Sequence, residues 1–315
     1  MRIYRNLNRL PTFKNAVLTI GSFDGVHVGH QQIIQQIRQL AKARAGVSVL
    51  ITFHPHPRMV VGNSSDHTLK LLNTLEEKAV LLEQYGVDVL VIVPFSRQFA
   101  EQSPDEYIRD FLVRRFEPRV IAIGYDHRFG KNRSGDISYL RRFQDEYQFE
   151  VVEISRQDVD DSAVSSTKIR KAVALGDVER AAQLLGHPFG ITGKVVKGLR
   201  IGNTIGFPTA NVEVLDPYKL IPPTGIYAVR VWHKTQRYNG MLYIGNRPTI
   251  DRDLAQTIEV NIFDFDQRIY GEMLRVEFVA YLRGDVKFDS IEALKQQLER
   301  DRQQTLLVFQ DLSEQ

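Results

Sequence analysis

Short apolar segments rich in valine and isoleucine alternate with helix-like segments through the first half of the chain. Apolar residues occupy consecutive positions in these segments, which is typical of strands buried on both faces of a sheet. Between them, Ile33, Ile37 and Ala41 recur at helical spacing, and Thr74 with Glu77 matches a helix capping box. Strands that alternate with helices predict an α/β doubly wound parallel sheet. The predicted strands are residues 17–20, 47–53, 87–93, 120–123 and 151–154.

The pattern changes after Gly186, where glycine-rich turns and alternating strands replace the succession of strands and helices. Turns between short alternating strands are typical of a small antiparallel β-barrel. We therefore predict a first domain over residues 1–186 and a second domain over residues 187–315. The predicted barrel strands are residues 226–232, 238–243, 258–265 and 273–281.

A C-terminal helix is expected to follow the barrel and to begin near Ser290. Its apolar residues recur at helical spacing, which predicts that one face of the helix packs on the barrel. The apolar positions of this helix are Ile291, Leu294, Leu298 and Leu306.

Composition excludes several classes of protein. A length of 315 residues suits two domains, and 43% hydrophobic with 25% charged residues is typical of globular proteins. The net charge of +3 is too small to indicate nucleic-acid binding by itself, and the absence of cysteine excludes disulfides and thiolate metal sites. No apolar run approaches the ~18 residues of a membrane span, and no signal-peptide pattern is present. We expect a cytoplasmic protein without membrane contact, as a monomer or weak homo-oligomer.

A glycine-rich loop follows the first predicted strand and leads directly into the first predicted helix. Its sequence over residues 21–30 is Gly-Ser-Phe-Asp-Gly-Val-His-Val-Gly-His. Glycines let backbone amides approach a phosphate, and a helix N-terminus adds partial positive charge. His27 and His30 can donate hydrogen bonds to phosphate oxygens as charge develops during displacement. Two other interpretations stay open: a purely structural turn, and a metal site completed by His54 and His56.

Three further polar loops follow predicted strands, whose carboxyl ends should meet at one edge of the sheet. The last of them opens a helix with hydroxyls at Ser165, Ser166 and Thr167. Lys168 and Arg170 can neutralise a triphosphate there, whereas simple N-capping would require only the hydroxyls. The three loops are residues 53–57, 124–130 and 165–170.

A second candidate site lies in the predicted barrel. Residues 193–206 combine four glycines with basic residues, which suits a loop over nucleotide phosphates, although a glycine-rich hairpin would look similar. Thr209 and Asn211 supply oxygen ligands two residues apart, as a Mg²⁺-nucleotide requires. Glu259 offers a carboxylate on the face opposite the apolar residues of its strand, where an ordinary solvated glutamate is the alternative.

Four motifs of the first half resemble those of the bacterial bifunctional riboflavin kinase/FMN adenylyltransferase family, also called FAD synthetase. They are Gly-x-Phe-Asp-Gly-x-His-x-Gly-His at 21–30, Pro-His-Pro at 55–57, Gly-x-Asp-x-Arg-Phe-Gly at 124–130 and Ser-Ser-Thr-x-Ile-Arg at 165–170. The resemblance implies adenylyl transfer from Mg-ATP to FMN with release of pyrophosphate, and stabilisation of the α-phosphoryl group by His27 and His30. A departure is His127, where the family pattern has Phe.

The resemblance also implies which residues bind the two substrates of adenylyl transfer. FMN would be bound at Pro55, His56 and Pro57. ATP would be bound at Gly21, Ser22, Phe23, Asp24, Gly29, Asp126, Arg128, Ser165, Ser166, Thr167 and Arg170.

Motifs of the second half resemble the riboflavin kinase series of the same family. They are Gly-Phe-Pro-Thr-Ala-Asn at 206–211, Gly-Ile-Tyr at 225–227, Ile-Gly-Asn-Arg-Pro-Thr at 244–249 and Ile-Glu-Val at 258–260, followed by Phe-Asp-Phe. The resemblance implies that Glu259 is the base for the ribityl 5′-hydroxyl and that Thr209 and Asn211 bind Mg²⁺. A departure is Asn203, where the family pattern usually has Arg. ATP would be bound at Gly193, Lys194, Gly198, Gly202, Gly206, Pro208, Thr209 and Asn211.

The combined expectation is an enzyme that phosphorylates riboflavin to FMN and then adenylylates FMN to FAD. Its substrates would be ATP, riboflavin and FMN, with Mg²⁺ as cofactor. A first alternative is a nucleotidyltransferase of single activity, in which the barrel only binds or regulates. A second is a nucleic-acid-binding protein, but the arginine pairs at 114–115 and 141–142 lie in helical segments without interleaved aromatic residues. The sequence therefore favours small-molecule substrates and no nucleic acid.

Overall fold

The structure is a computed structural model, and the chain in it divides into two units, Met1–Ser166 and Thr167–Gln315. The predicted division after residue 186 assigns the segment 167–186 to the first domain instead, and it stays a prediction. The structure describes residues 1–62, 69–124, 127–154, 164–198, 206–247 and 255–312.

A six-stranded sheet in the order β1-β4-β3-β2-β5-β6 forms the centre of the first unit, and every neighbouring pair is parallel. The predicted doubly wound parallel sheet is confirmed. The short edge strand β1 was not predicted, because its three residues are largely exposed and form no apolar run. The strands are β1 (Arg2–Tyr4), β2 (Val17–Ile20), β3 (Ser48–His54), β4 (Val89–Pro94), β5 (Val120–Gly124) and β6 (Glu150–Ile154).

Helices cover the sheet, and several of them begin at capping residues. Thr74 and Glu77 form a complete capping box, and so do Ser103 and Glu106, with both reciprocal hydrogen bonds present. A π-helical turn, Tyr107–Val113, joins two of the helices. The helices up to the barrel are α1 (Val28–Ala43), α2 (Pro57–Val61), α3 (Leu75–Gln84), α4 (Arg97–Ala100), α5 (Pro104–Glu106), α6 (Arg114–Phe116), α7 (Ile137–Arg141), α8 (Gln144–Tyr147), α9 (Ser166–Ala174) and α10 (Val178–Leu185).

The second unit contains a closed antiparallel barrel with strand order β10-β11-β8-β7-β12-β9, as predicted. Ile258, Val260 and Ile262 are all buried, so the apolar residues that alternate with Glu259 on this strand face the core. The predicted strand 258–265 ends at Ile262, and a turn with Asp264 at φ 54° follows it. The strands are β7 (Gly190–Val196), β8 (Ala210–Glu213), β9 (Gly225–His233), β10 (Gln236–Arg247), β11 (Ala255–Ile262) and β12 (Met273–Arg283).

The C-terminal helix α11 (Ile291–Asp311) packs on the barrel through part of the predicted apolar face. Leu294 and Leu298 contact a cluster formed by buried residues of the barrel unit. Ile291 and Leu306 are 62% and 41% exposed, so their predicted packing is wrong. The helix buries Asp301, Thr305 and Phe309 instead. Two of these three residues are polar. Asp301 is stabilised in its buried position by two hydrogen bonds that it accepts from Arg283.

Candidate active sites

The first site begins at the turn from β2 into α1, where the two histidines are brought together. His27 is the N-cap residue of α1, and its Nδ1 accepts a hydrogen bond from the His30 backbone N–H at 3.4 Å. The two imidazole rings stack with centroids 3.7 Å apart and planes 16° apart. The Phe23 ring also contacts His30, with ring centroids 4.9 Å apart. Because Nδ1 of His27 is an acceptor, a neutral His27 carries its proton on Nε2.

The environment of His30 favours its uncharged form. Burial lowers the pKa of His30 well below its usual value, and the electrostatic influence of the His27 imidazole and of Lys78 lowers it further. Its Nδ1 is buried and has no hydrogen-bond partner among the residues that the structure describes. A neutral imidazole at a helix N-terminus can donate a hydrogen bond from its ring N–H to an anion.

The loop before α1 has an unusual backbone, as sites that approach ligands often do. Phe23 and Val26 adopt φ of 47° and 42°, and Gly25 adopts φ 87°. Left-handed backbone is disfavoured for a β-branched valine, so the surrounding contacts must hold it. The carboxylate of Asp24 is 1% exposed and accepts hydrogen bonds from the backbone N–H groups of Leu72 and Asn73. Asp24 thus ties the loop to the segment before α3.

The structure describes contacts or burial for three other predicted ATP-site residues of the first unit. Ser166 Oγ donates a hydrogen bond to the Asp24 carbonyl at 2.9 Å, which holds this serine beside the loop of the histidines. Gly29 is buried in the first turn of α1. Arg128 is paired with Asp136. Asp126 lies outside the described residues.

The second member of the Pro-His-Pro motif has a structural contact. His56 is 9% exposed, and its Nδ1 accepts the backbone N–H of Arg58, so it caps the short helix α2. Pro55 follows a cis peptide bond with His54, and Pro57 is the first residue of α2. Exposed His54 and buried His56 form no metal group with other side chains, since no cluster of three or more His, Asp or Glu able to hold a metal occurs in the described part of the chain.

A cleft of about 720 Å³ opens beside this motif, at the carboxyl ends of β3, β4 and β5. The sequence interpretation missed most of its walls because they come from four separate loops and helices. Its aromatic side chains contact one another: Phe53, Phe95 and Phe99 have ring centroids within 6 Å. The cleft is also lined by aromatic and cationic side chains, which are Tyr107, His127, Phe129, Arg58, Arg97, Arg128 and Arg133.

The second site lies on one face of the barrel, where β8 and β11 pair. Asn211 and Glu259 are directly opposite each other in the register of these strands. Thr209 Oγ1 donates a hydrogen bond to Glu259 Oε2 at 3.2 Å. All three side chains are half-buried, so they can contact both the protein and a ligand. The predicted base and the two predicted Mg²⁺ ligands are therefore neighbours.

Glycines and a proline shape the surroundings of this face. A Cβ on Gly198 would lie 2.2 Å from Asn211 Nδ2, so only glycine leaves room for that side chain. A Cβ on Gly193 would lie 2.6 Å from the Glu213 carbonyl oxygen, which shows a close approach of β7 to β8. The carbonyl of Pro208 accepts a hydrogen bond from Asn261.

The other predicted residues of the glycine-rich segment have different positions. Gly206 adopts φ 84° and has open space around it. Lys194 lies on β7 opposite Met273 and Glu213. Gly202 and the departure Asn203 lie outside the described residues.

Tyr243 lies on the same face of the barrel as Glu259, and it was not identified from the sequence. It is opposite Glu259 in the pairing of β10 with β11, and its hydroxyl donates to Asp285 Oδ2 at 3.1 Å. Burial and the charge of Asp285 raise the pKa of Tyr243 to about 12. Only the strand register reveals this neighbour, because the two residues are far apart in sequence.

Two known family models match the chain, and they follow each other along it in the same order as the two sets of motifs. The family model described as FAD synthetase matches residues 10–168, and the model described as riboflavin kinase matches residues 185–309. No described helix is long and apolar enough to cross a membrane.

Individual relatives match over nearly the whole chain. Identity is 39% with the bifunctional riboflavin kinase/FMN adenylyltransferase of Listeria monocytogenes, across 95% of this chain and 94% of that protein. It is 38% with the enzyme of the same name from Haemophilus influenzae, across 96% of each chain. A crystal structure from Streptococcus pneumoniae, described as a macrolide-efflux protein, has 32% identity and a TM-score of 0.84, and the match covers 96% of this chain and 97% of that one. The chain thus belongs to the bifunctional riboflavin kinase/FMN adenylyltransferase family, which confirms the predicted pair of transferase activities.

Proposed function

We propose that the first unit performs adenylyl transfer at His27 and His30, and that the barrel phosphorylates riboflavin at Glu259. The assignment is supported by one cluster of motif residues in each unit. The histidines stack at the start of α1, and Glu259 accepts a hydrogen bond from Thr209 at 3.2 Å.

In the adenylyl transfer step, a phosphate oxygen of FMN forms a bond to the α-phosphorus of ATP, and the bond from that phosphorus to the bridging oxygen of pyrophosphate breaks. The attacking phosphate is already anionic, so no base is needed. The Nε2–H of His27 and the neutral ring of His30 supply hydrogen-bond donors for the α-phosphoryl oxygens. The first amides of α1 add partial positive charge.

The nucleotide phosphates are assigned to the loop of residues 21–24 and to the Ser-Ser-Thr motif. Ser166 supports the assignment because its hydroxyl bonds the carbonyl of Asp24. For Ser165, Thr167 and Arg170, the assignment comes from the family motif that they match.

The flavin of FMN is assigned to the aromatic cleft beside the Pro-His-Pro motif. Its volume of about 720 Å³ is in the usual range for a ligand site, and a flat isoalloxazine ring stacks favourably on aromatic side chains. Arg58 and Arg133 line the same cleft and can bind the phosphate of FMN. The cleft therefore offers both kinds of contact that FMN requires.

In the kinase step, Glu259 accepts the proton of the riboflavin 5′-hydroxyl while that oxygen bonds the γ-phosphorus of ATP and ADP leaves. A carboxylate can orient the hydroxyl as well as accept its proton. The oxygen donors of Thr209 and Asn211 lie beside this carboxylate and fit the preference of Mg²⁺ for a few hard protein ligands with phosphate oxygens. Mg²⁺ bound there would neutralise charge on the ATP phosphates.

Two variants in the same pair of assays test the assignment. His30→Ala should reduce FAD formation from supplied FMN by about 10²- to 10³-fold, since it removes a donor to developing charge. Glu259→Gln should reduce FMN formation from riboflavin by about 10²- to 10⁴-fold. Each variant is the control for the other, because each should keep the activity that the other loses. A variant that loses both activities, or neither, contradicts the assignment of its residue.

We also propose that the protein acts in the cytoplasm on small molecules only, as a monomer or weak homo-oligomer. The arginines suspected of nucleic-acid contact have local partners: Arg115 bonds the Leu7 carbonyl, and Arg141 pairs with Glu153. Titration with single-stranded and duplex DNA should show no salt-dependent binding, whereas affinity that falls steeply with salt would contradict the proposal. Sedimentation over a range of concentrations tests the oligomeric state.

A further inference from the structure

A lysine that the proposed mechanism does not use lies behind the loop of the histidines. Lys78 is on α3, and its side chain is only 6% exposed. Its Nζ donates a hydrogen bond to the backbone carbonyl of Ser22 at 2.7 Å. Lysine is rarely buried to this extent, because removing an ammonium group from water is costly unless something in the protein compensates.

The contact of Lys78 fixes the orientation of one peptide group. The Ser22 carbonyl also accepts a hydrogen bond from Thr52 Oγ1 at 3.1 Å, so two donors fix the orientation of this carbonyl. In a planar trans peptide the C=O and the following N–H point in opposite directions. The N–H of Phe23 therefore points away from Lys78 and Thr52. Among the described residues it donates no hydrogen bond.

The charge of Lys78 also reaches the histidine pair. Burial lowers the pKa of Lys78, and the carboxylate of Asp24 partly opposes this shift. Asp24 in turn accepts the backbone N–H groups of Leu72 and Asn73, so its negative charge is shared with donors other than the lysine. Lys78 and His27 are the two charged or titratable groups that lower the pKa of His30.

We propose that Lys78 is a positioning residue for adenylyl transfer: it holds the Ser22–Phe23 peptide so that the Phe23 N–H faces the ATP phosphates, and it keeps positive charge behind His30. The inference rests on the proposed role of the histidine loop. An amide oriented in advance is more effective than a mobile one, since it needs no reorganisation when charge develops on the phosphoryl group. The lysine itself contacts neither the nucleotide nor the flavin.

A purely structural role, in which the lysine stem fills space under the loop, is the alternative. Lys78→Met tests the two against each other, because methionine keeps an unbranched apolar stem and removes the charge and the donor. Thr52→Val is the matched variant, since it removes the second donor to Ser22 without changing any charge. Both full-length variants are compared with the unchanged protein for riboflavin phosphorylation, for FAD formation from supplied FMN, and for the pKa of His30 measured by NMR.

We expect Lys78→Met to lower kcat/KM for ATP in FAD formation by about 10²-fold, as misplacement of binding groups commonly does. Thr52→Val should lower it about fivefold, the typical effect of one neutral hydrogen bond. The pKa of His30 should rise in Lys78→Met and stay unchanged in Thr52→Val. Riboflavin phosphorylation should be unchanged in both variants.

Three results would overturn the inference. One is a folded Lys78→Met variant that forms FAD within about twofold of the unchanged protein. Another is a His30 pKa that does not rise in that variant. If Lys78→Met fails to fold, unchanged FAD formation by Thr52→Val overturns the inference. Failure of the proposed function itself is recognised separately, because His30→Ala would then retain FAD formation in the same assay.

Discussion

The ion pair that anchors α11 to the barrel gives a stability prediction with a magnitude. Arg283 donates from Nε and Nη2 to the two carboxylate oxygens of Asp301, at 2.8 and 2.6 Å. The Asp301 side chain is fully buried and that of Arg283 is 19% exposed. Asp301→Ala leaves the guanidinium group uncompensated, and breaking such a pair commonly costs about 3–5 kcal/mol. For a unit of roughly 150 residues, each kcal/mol lowers the melting temperature by about 2–4 °C, so we expect a decrease of about 6–20 °C.

The single tryptophan of the chain offers an assay for this unit alone. Trp232 lies on β9 of the barrel, so its fluorescence during heating follows the barrel unit whatever the first unit does. Kinase activity should decline at the lower melting temperature as α11 detaches. Glu299→Ala is the matched control, because it removes one negative charge from an exposed position of the same helix. A melting temperature of Asp301→Ala within 2 °C of this control would refute the assigned role of the ion pair.

Three further predictions concern other parts of the molecule. Gly198→Ala should reduce riboflavin phosphorylation at least tenfold and spare FAD formation, because its Cβ would displace Asn211; initial rates of both reactions check this, and unchanged phosphorylation would contradict it. Phe99→Ala should weaken FMN binding about threefold to tenfold through the loss of a cleft wall, as measured by flavin fluorescence, and equal affinity would place the flavin elsewhere. A fragment of residues 167–315 should resist urea better than one of residues 187–315, because α10 packs against β12 and buries two leucines; equal midpoints would show that α10 is dispensable.

Local sequence patterns were sufficient for most of the fold. The buried strands of the parallel sheet are apolar at consecutive positions, and the capping residues at Thr74 and Ser103 start helices through contacts within four residues. The edge strand β1 lacks such a pattern, and only its pairing with β4 in the folded chain identifies it as a strand. The packing of α11 was partly wrong because the buried Asp301 is stabilised by Arg283, a partner that periodicity cannot reveal.

At the candidate sites, residues in local motifs could likewise be identified from the sequence, whereas residues that reach the site only through folding could not. Each histidine, threonine and glutamate of the candidate sites stands in a short motif and could be named from sequence. Lys78 and Tyr243 could not, because a contact with Ser22 and a strand register with Glu259 place them at the sites. The aromatic cleft was missed for the same reason, since its walls come from several loops that meet only after folding.

Chromatography of the products from riboflavin, ATP and Mg²⁺ shows whether one chain carries out both reactions, with the unchanged protein compared with His30→Ala and Glu259→Gln. The unchanged protein should form FMN first and then FAD. His30→Ala should stop at FMN, and Glu259→Gln should leave riboflavin unconverted yet form FAD when FMN is supplied. Unconverted riboflavin with the unchanged protein would contradict the pair of activities, and FAD formation by both variants from riboflavin would contradict the roles assigned to His30 and Glu259.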